Sequence, residues 1–204
     1  MHVGIDFDNT MVLYDDVFHE CALKRGLIPR NTPRSKNAIR DVIRLLQDGE
    51  RQWIDLQSWV YAKKMGCALP APGVRVFFDM CRRRGWEISI ISHKTRYPNT
   101  GPRIDMHDVS RRWLQQQGFL TGSGLGLEKS VFFEETRAAK INRIVIRHCA
   151  IFIDDLVEVF LEPEFPAKVQ KILYAPALGS NPGADIRVAS SWGEISARLF
   201  DEPE

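Results

Sequence analysis

Blocks of apolar residues with two different periods divide the chain. Val3 to Ile5 form a short run suited to a buried strand, and the run ends abruptly at Asp6-Phe7-Asp8-Asn9-Thr10. The spacing then becomes helical. Val17, Phe18, Cys21 and Ala22 make one short apolar face, Ala38, Ile39, Val42, Ile43 and Leu46 a clearer one, and Trp53, Leu56 and Val60 a third, so two or three amphipathic helices are predicted. Pro70-Ala71-Pro72-Gly73 closes this stretch.

Beyond that break, strands and helices alternate. A helix from about Val74 to Arg84, with Val74, Phe77, Phe78 and Cys81 inward, leads through Gly85 into a strand at Trp86 to Ile91 that ends at Ser92. A helix with Val109, Trp113 and Leu114 stops at Gly118. A glycine-rich turn follows at Gly122 to Gly126; it does not lie between a strand and a helix, as a dinucleotide fingerprint requires. The remaining predicted elements are a strand at Val131 to Phe133, a helix that carries Lys140 near its start with Ile141, Ile144 and Val145 inward, a strand at Ala150 to Ile153, a short helix to Phe160, a strand at Ile172 to Tyr174, and a last helix with Trp192, Ile195 and Leu199 on one face.

This alternation predicts an α/β fold of three layers, Rossmann-like, with a parallel sheet covered on both faces. The helical block of residues 12–72 is small for an independent domain and reads as a cap inserted after the first strand. The core is then residues 1–11 and 73–204. A chain of 204 residues fits one such domain plus its insertion.

Charge and cysteine usage narrow the function classes. A formal net charge of +2 is too small to argue for nucleic acid or an anionic membrane. Cys21, Cys67, Cys81 and Cys149 form no C-x-x-C pair, which favours free thiols in a reducing cytoplasm over disulfides or a zinc site. No leader-like segment precedes the first strand, and no run approaches the ~18 apolar residues of a membrane span, so a cytoplasmic location is expected. The sequence carries no signal for oligomeric state.

The candidate chemistry lies at strand ends, which parallel strands gather on one rim. Asp6 and Asp8 would repel, and one would take up a proton, unless a cation sits between them. Two readings stand: a site for a hard divalent ion with one carboxylate left for chemistry, or an acidic turn of the kind that commonly ends strands. Ser92, Lys140 and the second acidic pair, Asp154-Asp155, arrive on the same rim. Carboxylates with a lysine, a hydroxyl and a divalent metal are what phosphoryl transfer uses, since a carboxylate can attack phosphorus while cations neutralise its oxygens.

The ordered set Asp6-Phe7-Asp8-Asn9-Thr10, Ser92, Lys140 and Asp154-Asp155 resembles the four motifs of the haloacid dehalogenase (HAD) superfamily, over the chain from Val3 to about Phe200. Ser92-His93-Lys94-Thr95-Arg96 and Phe152 to Leu156 also look like a bacterial subgroup found in polysaccharide-synthesis contexts. The resemblance implies a magnesium-dependent phosphatase. Asp6 would be the nucleophile that forms an aspartyl-phosphate, and Asp8 the acid that protonates the leaving oxygen and then the base that activates water. Thr10, Ser92, His93 and Lys140 would contact the phosphoryl group, and Mg2+ would be held by Asp6, the main-chain carbonyl of Asp8, Asp154 and Asp155. Asn9 stands where many relatives have glycine, and asparagine tolerates the same backbone angles. Lys140 lies closer to Asp154 than is usual, which keeps Arg137 and Lys129 open as the phosphate-binding cation.

A small helical lid favours a small phosphorylated metabolite as substrate over a polymer. Lys94, Arg96 and Arg103 are candidate substrate contacts, along with Arg34 and Lys36, although each is equally read as a solvated side chain. Trp53, Trp59 and Tyr61 could stack on a sugar or a base, or simply fill a core. The alternatives to a phosphatase are a phosphotransferase or mutase on the same residues, and a catalytically silent binding protein of the same fold.

Overall fold

The computed structural model describes residues 1–120, 126–176, 183 and 185–200; the turn expected at Gly122 to Gly126 lies outside them except for Gly126. In chain order the elements are β1 (His2–Ile5), β2 (Val12–Leu13), α1 (Asp15–Lys24), α2 (Lys36–Arg44), α3 (Gly49–Trp59), β3 (Leu69–Pro70), α4 (Val74–Arg83), β4 (Glu87–His93) and α5 (Met106–Gln116). They continue with β5 (Val131–Glu134), α6 (Arg137–Ile146), β6 (Ile151–Asp154), α7 (Val157–Phe160), β7 (Gln170–Tyr174), β8 (Ile186–Ala189) and α8 (Trp192–Phe200). Among the described residues no helix is long and apolar enough to cross a membrane.

Six of the strands form one sheet in the order β5-β4-β1-β6-β7-β8, and each pairing is parallel. The chain builds outward from β1 through β4 to β5, then returns to the other side of β1 for β6, β7 and β8. β1 is therefore where the winding reverses, and open α/β sheets bind ligands in the crevice at the carboxyl end of that point. Registers of Ile5 with Ile90 on one side and Ile153 on the other bring the ends of three strands together. All four residues of β1 and of β6 are buried, as expected of strands covered on both faces.

One face of the sheet packs Phe152, Phe160, Phe165, Ile141, Ile144 and Leu173 into a continuous apolar cluster. Phe77 of α4 contacts Trp192 and Phe200 of α8 at centroid distances of 5.0 and 5.6 Å, which ties these two helices together.

Three expectations from periodicity need correction. β4 runs two residues past Ile91 because Ser92 and His93 pair with Phe133 and Glu134, and polar residues at a strand end carry no apolar signal. β8 was not predicted: it is a four-residue edge strand with exposed Arg187, too short and too mixed for its pattern to register. Leu46 and Val145, expected to face inward, are 40% and 47% exposed.

The chain divides into two compact units, Met1–Val12 with Pro70–Lys94 and Gln115–Glu204, and Leu13–Leu69 with Thr95–Leu114. Sequence reasoning assigned residues 95–114 to the core. Within the second unit Trp113 Nε1 donates to the Ala68 carbonyl at 2.9 Å, Ser110 Oγ meets Met65 Sδ at 3.5 Å, and the Thr100 amide donates to Ser58 Oγ at 3.3 Å. Such tertiary links are not visible in local periodicity.

Gly4 sits in β1 under the ring of Phe152. A Cβ there would lie 2.5 Å from Phe152 Cδ2 and 2.9 Å from Cys149 Sγ, so the bare backbone is what lets the aromatic lie across the strand. Gly4→Ala is expected to destabilise the chain by about 1–3 kcal/mol, the usual range for overpacking, as measured by urea denaturation.

His2, at the opposite end of β1 from the acidic residues, gives a pH dependence. Arg147 Nε donates to Ser89 Oγ at 3.2 Å, which leaves the hydroxyl hydrogen for His2 Nε2 at 2.8 Å. Burial lowers the imidazole pKa; Arg147, the N-terminal amine and His148 add to this, and Glu87 opposes it. As pH falls through the ordinary histidine value of 6.5 the unfolded chain binds the proton first, so stability is lost on acidification. In denaturation at pH 7.5 and 5.5, His2→Gln is expected to lose less stability than the parent chain; an equal loss would remove His2 as a contributor.

Candidate active site

Backbone geometry sets the Asp6 carboxylate in place. The Asp6 amide donates to the Ile153 carbonyl at 2.8 Å, extending the pairing of β1 with β6 by one residue. The chain then turns tightly: the amides of Met11 and Val12 both donate to the Phe7 carbonyl at 3.1 and 3.0 Å, and that of Asn9 to the Val12 carbonyl at 2.8 Å. Asn9 takes φ of +60°, a conformation that asparagine adopts more readily than most side chains. Trp192 Nε1 anchors the turn by donating to the Thr10 carbonyl at 3.0 Å.

The rim brings Asp6, Asp154 and Lys140 into direct contact. Thr136 caps α6 by accepting from the Ala139 amide at 3.1 Å, and one turn later Lys140 points inward with 1% of its surface exposed. Its Nζ lies 2.6 Å from Asp6 Oδ1 and 2.6 Å from Asp154 Oδ2. Asp154, fully buried at the end of β6, also accepts from the Leu156 amide at 3.0 Å. Burial pushes the Asp6 carboxyl up to about 7, with Lys140 pulling it back and Asp154 and Asp8 pushing it further. Burial works against the Lys140 charge, but Asp154 and Asp6 together hold the ammonium above its usual value.

One positive charge thus serves two buried carboxylates, and a third, the partly buried Asp155, lies close by. Asp6, Asp154 and Asp155 each offer an oxygen, all within 4.8 Å of one another. An all-oxygen, acidic donor set of this kind suits a hard divalent cation such as Mg2+. Thr10 Oγ1 lies 3.2 Å from Asp155 Oδ1 and 3.5 Å from Asp6 Oδ2; with a single hydrogen to give, its better partner is Asp155.

A second lysine serves Asp8. Lys94 Nζ lies 2.9 and 2.6 Å from the two oxygens of Asp8, and only 5% of Lys94 is exposed. The sequence leaves Lys94 between substrate and solvent; its position just past the last residue of a strand gave no sign of this partner. Ser92 is buried within β4, and His93 is exposed at the strand's end. Partial desolvation, then the charges of Lys140 and Arg137, lower the His93 pKa.

The other predicted residues are engaged elsewhere. Arg137 pairs with Glu162 at 2.6 Å, and Lys129 lies on a short 3₁₀ turn at Glu128–Ser130. In the second unit Arg96 pairs with Asp105 at 2.8 Å, Arg103 stacks on Tyr97 at 4.2 Å from the ring centroid, and Arg34 pairs with Asp16 at 2.7 Å. Lys36 Nζ lies 2.8 Å from the Tyr61 hydroxyl, and Trp53 stacks on Phe18 at 5.3 Å as part of that unit's core.

No protein-family model and no curated protein matches the sequence. Solved structures do match the fold. Protein Tyrosine Kinase A of Mycobacterium tuberculosis is 13% identical, with 98% of this chain and 97% of that one covered and a TM-score of 0.62. A haloacid dehalogenase-like hydrolase from Streptococcus pneumoniae is 15% identical over 97% of both chains, also with a TM-score of 0.62. A HAD family hydrolase from Deinococcus radiodurans, solved with bound phosphate and sodium, is 14% identical over 98% of this chain and 95% of that one, with a TM-score of 0.58.

Proposed function

From the fold it shares with hydrolases of the HAD superfamily, we propose that this chain is a phosphatase that cleaves a small phosphorylated metabolite through an aspartyl-phosphate on Asp6. The observation that carries the proposal is the convergence of Asp6, Asp154, Asp155 and Lys140 at the point where the sheet reverses its winding. Structural ion pairs seldom gather a third carboxylate beside two that already share one buried ammonium, whereas a site for a divalent cation and a phosphoryl group uses all three.

In the first step an oxygen of Asp6 bonds to phosphorus while the bond from phosphorus to the substrate oxygen breaks. The Asp8 carboxyl gives its proton to that departing oxygen, which leaves as an alcohol. In the second step the Asp8 carboxylate takes a proton from water as the water oxygen bonds to phosphorus and the bond to Asp6 breaks. Inorganic phosphate leaves, and both aspartates return to their starting states. Lys140 offsets the charge that Asp6 and the phosphoryl oxygens share, and Thr10, Ser92 and His93 are the polar groups available to the remaining oxygens. Mg2+ would be held by Asp6, Asp154 and Asp155 with the Asp8 carbonyl, and when bound it supplies positive charge to the phosphoryl oxygens.

The test is turnover of p-nitrophenyl phosphate and of a panel of sugar phosphates, nucleotides and phospho-acids by the purified chain. Hydrolysis that requires Mg2+ and stops with a chelator is the expected result; no turnover of any panel member with Mg2+ present would refute the proposal.

A phosphotransferase is the second reading, favoured by the fold shared with a protein described as a tyrosine kinase. It keeps the same first step and passes the phosphoryl group to an acceptor hydroxyl in place of water. Product analysis with added alcohols or a tyrosine peptide separates the two.

A further inference from the structure

We propose that Lys94 is a positioning residue that fixes the orientation of the Asp8 carboxyl group; the inference rests on the phosphatase reading and assigns a role to a side chain that this reading does not use. The backbone of Lys94 is anchored, because its amide donates to the Glu134 carbonyl at 2.8 Å and carries the pairing of β4 with β5 one residue further. The side chain is then directed back under the acidic loop. Its ammonium lies 5.6 Å from the centroid of Phe7, and Phe7 is held edge-on by Phe133 of β5 at 5.4 Å. With the stem enclosed, the ammonium meets both oxygens of Asp8 at 2.9 and 2.6 Å, which fixes the plane of the carboxyl group as well as its position.

Burial separates this arrangement from an ordinary surface ion pair. The Lys94 side chain is 4% exposed and that of Asp8 18% exposed, so the lysine is enclosed while one edge of the carboxyl group stays open. A lysine meant to grip substrate would need its ammonium at the open edge. The two lysines of the site divide the work: Lys140 spans Asp6 and Asp154, and Lys94 serves Asp8. Proton transfer in the transition state depends on such alignment, and misplacing the acid sacrifices much of the 10²- to 10⁴-fold that general acid–base catalysis contributes.

The test exploits the leaving group. A p-nitrophenolate departs without help from an acid, whereas an alkoxide needs the Asp8 proton. Rapid-mixing measurements of the first phosphoryl transfer exclude the later step, where Asp8 acts as base on either substrate. In them Lys94→Met is expected to slow transfer from an alkyl phosphate about a hundredfold while changing the p-nitrophenol burst rate by less than about fivefold, with KM little altered in both. Lys94→Arg should recover part of the alkyl activity. In the background of Asp8→Asn, Lys94→Met should add no further loss. An equal fall in that first step for both substrates would overturn the proposal, with a raised KM marking Lys94 as a phosphate-gripping residue, as would unchanged rates on both. If Lys94→Met does not fold, Lys94→Gln, which keeps a donor but no charge, is judged by the same comparison. Failure of the parent chain to hydrolyse any phosphate overturns the phosphatase reading itself; an active parent with the wrong leaving-group pattern overturns only the role of Lys94.

Discussion

Asp6→Asn is expected to reduce magnesium-dependent hydrolysis of p-nitrophenyl phosphate by at least about a thousandfold in kcat, since an amide cannot accept the phosphoryl group and no other carboxylate has its placement. Stability should change by no more than about 1 kcal/mol. The amide is nearly isosteric, Lys140 keeps Asp154 as its partner, and burial already disfavours charge on Asp6. Activity lost with stability kept, read by steady-state kinetics and urea denaturation on the same preparation, is the pattern of a group that acts in the chemistry and not in the fold. Equal activity in the substituted and parent chains would remove Asp6 from that role.

Lys140→Met has the opposite balance. It leaves Asp6 and Asp154 buried at 4% and 0% exposure with their shared cation gone, and breaking a buried pair by removing one partner costs about 3–5 kcal/mol. Against the roughly 5–15 kcal/mol that holds a domain folded, that is a large fraction. The expected result is a urea midpoint shifted sharply down, with hydrolysis abolished in whatever chain remains folded. Added Mg2+ should raise the midpoint of Lys140→Met, because a divalent cation can take over the charge of the lost ammonium. A loss below about 1 kcal/mol would mean that the two carboxylates are not held charged together.

The first strand and its acidic turn were legible because apolar residues, two aspartates and a turn-compatible asparagine all lie within ten positions. Alternation of strand and helix was enough for a parallel sheet, which requires a crossover for each new strand. Local pattern could not show which distant cation meets which carboxylate. Lys140, Arg137 and Lys129 differ little as text, yet only Lys140 lies on the inward face of α6, while Arg137, one turn earlier, reaches Glu162. Lys94 was ambiguous for the same reason: its burial depends on Phe7, in the acidic turn more than eighty residues away, and on the β5 backbone beside it. The grouping of residues 95–114 with the helical block was not legible, because the contact of Trp113 with Ala68 joins segments that no period connects.

The central place of β1 also governs how the molecule must be made. A ribosome delivers β1 first, but its two neighbours, β4 and β6, follow only after about eighty and a hundred and fifty further residues. Until β4 is made both edges of β1 lack their final partners, and until β6 is made one still does; open strand edges are sites where nascent chains associate wrongly. Pulse-labelled synthesis should show protease resistance appearing only once β6 has cleared the exit tunnel, and every chain truncated before that strand should stay sensitive to digestion.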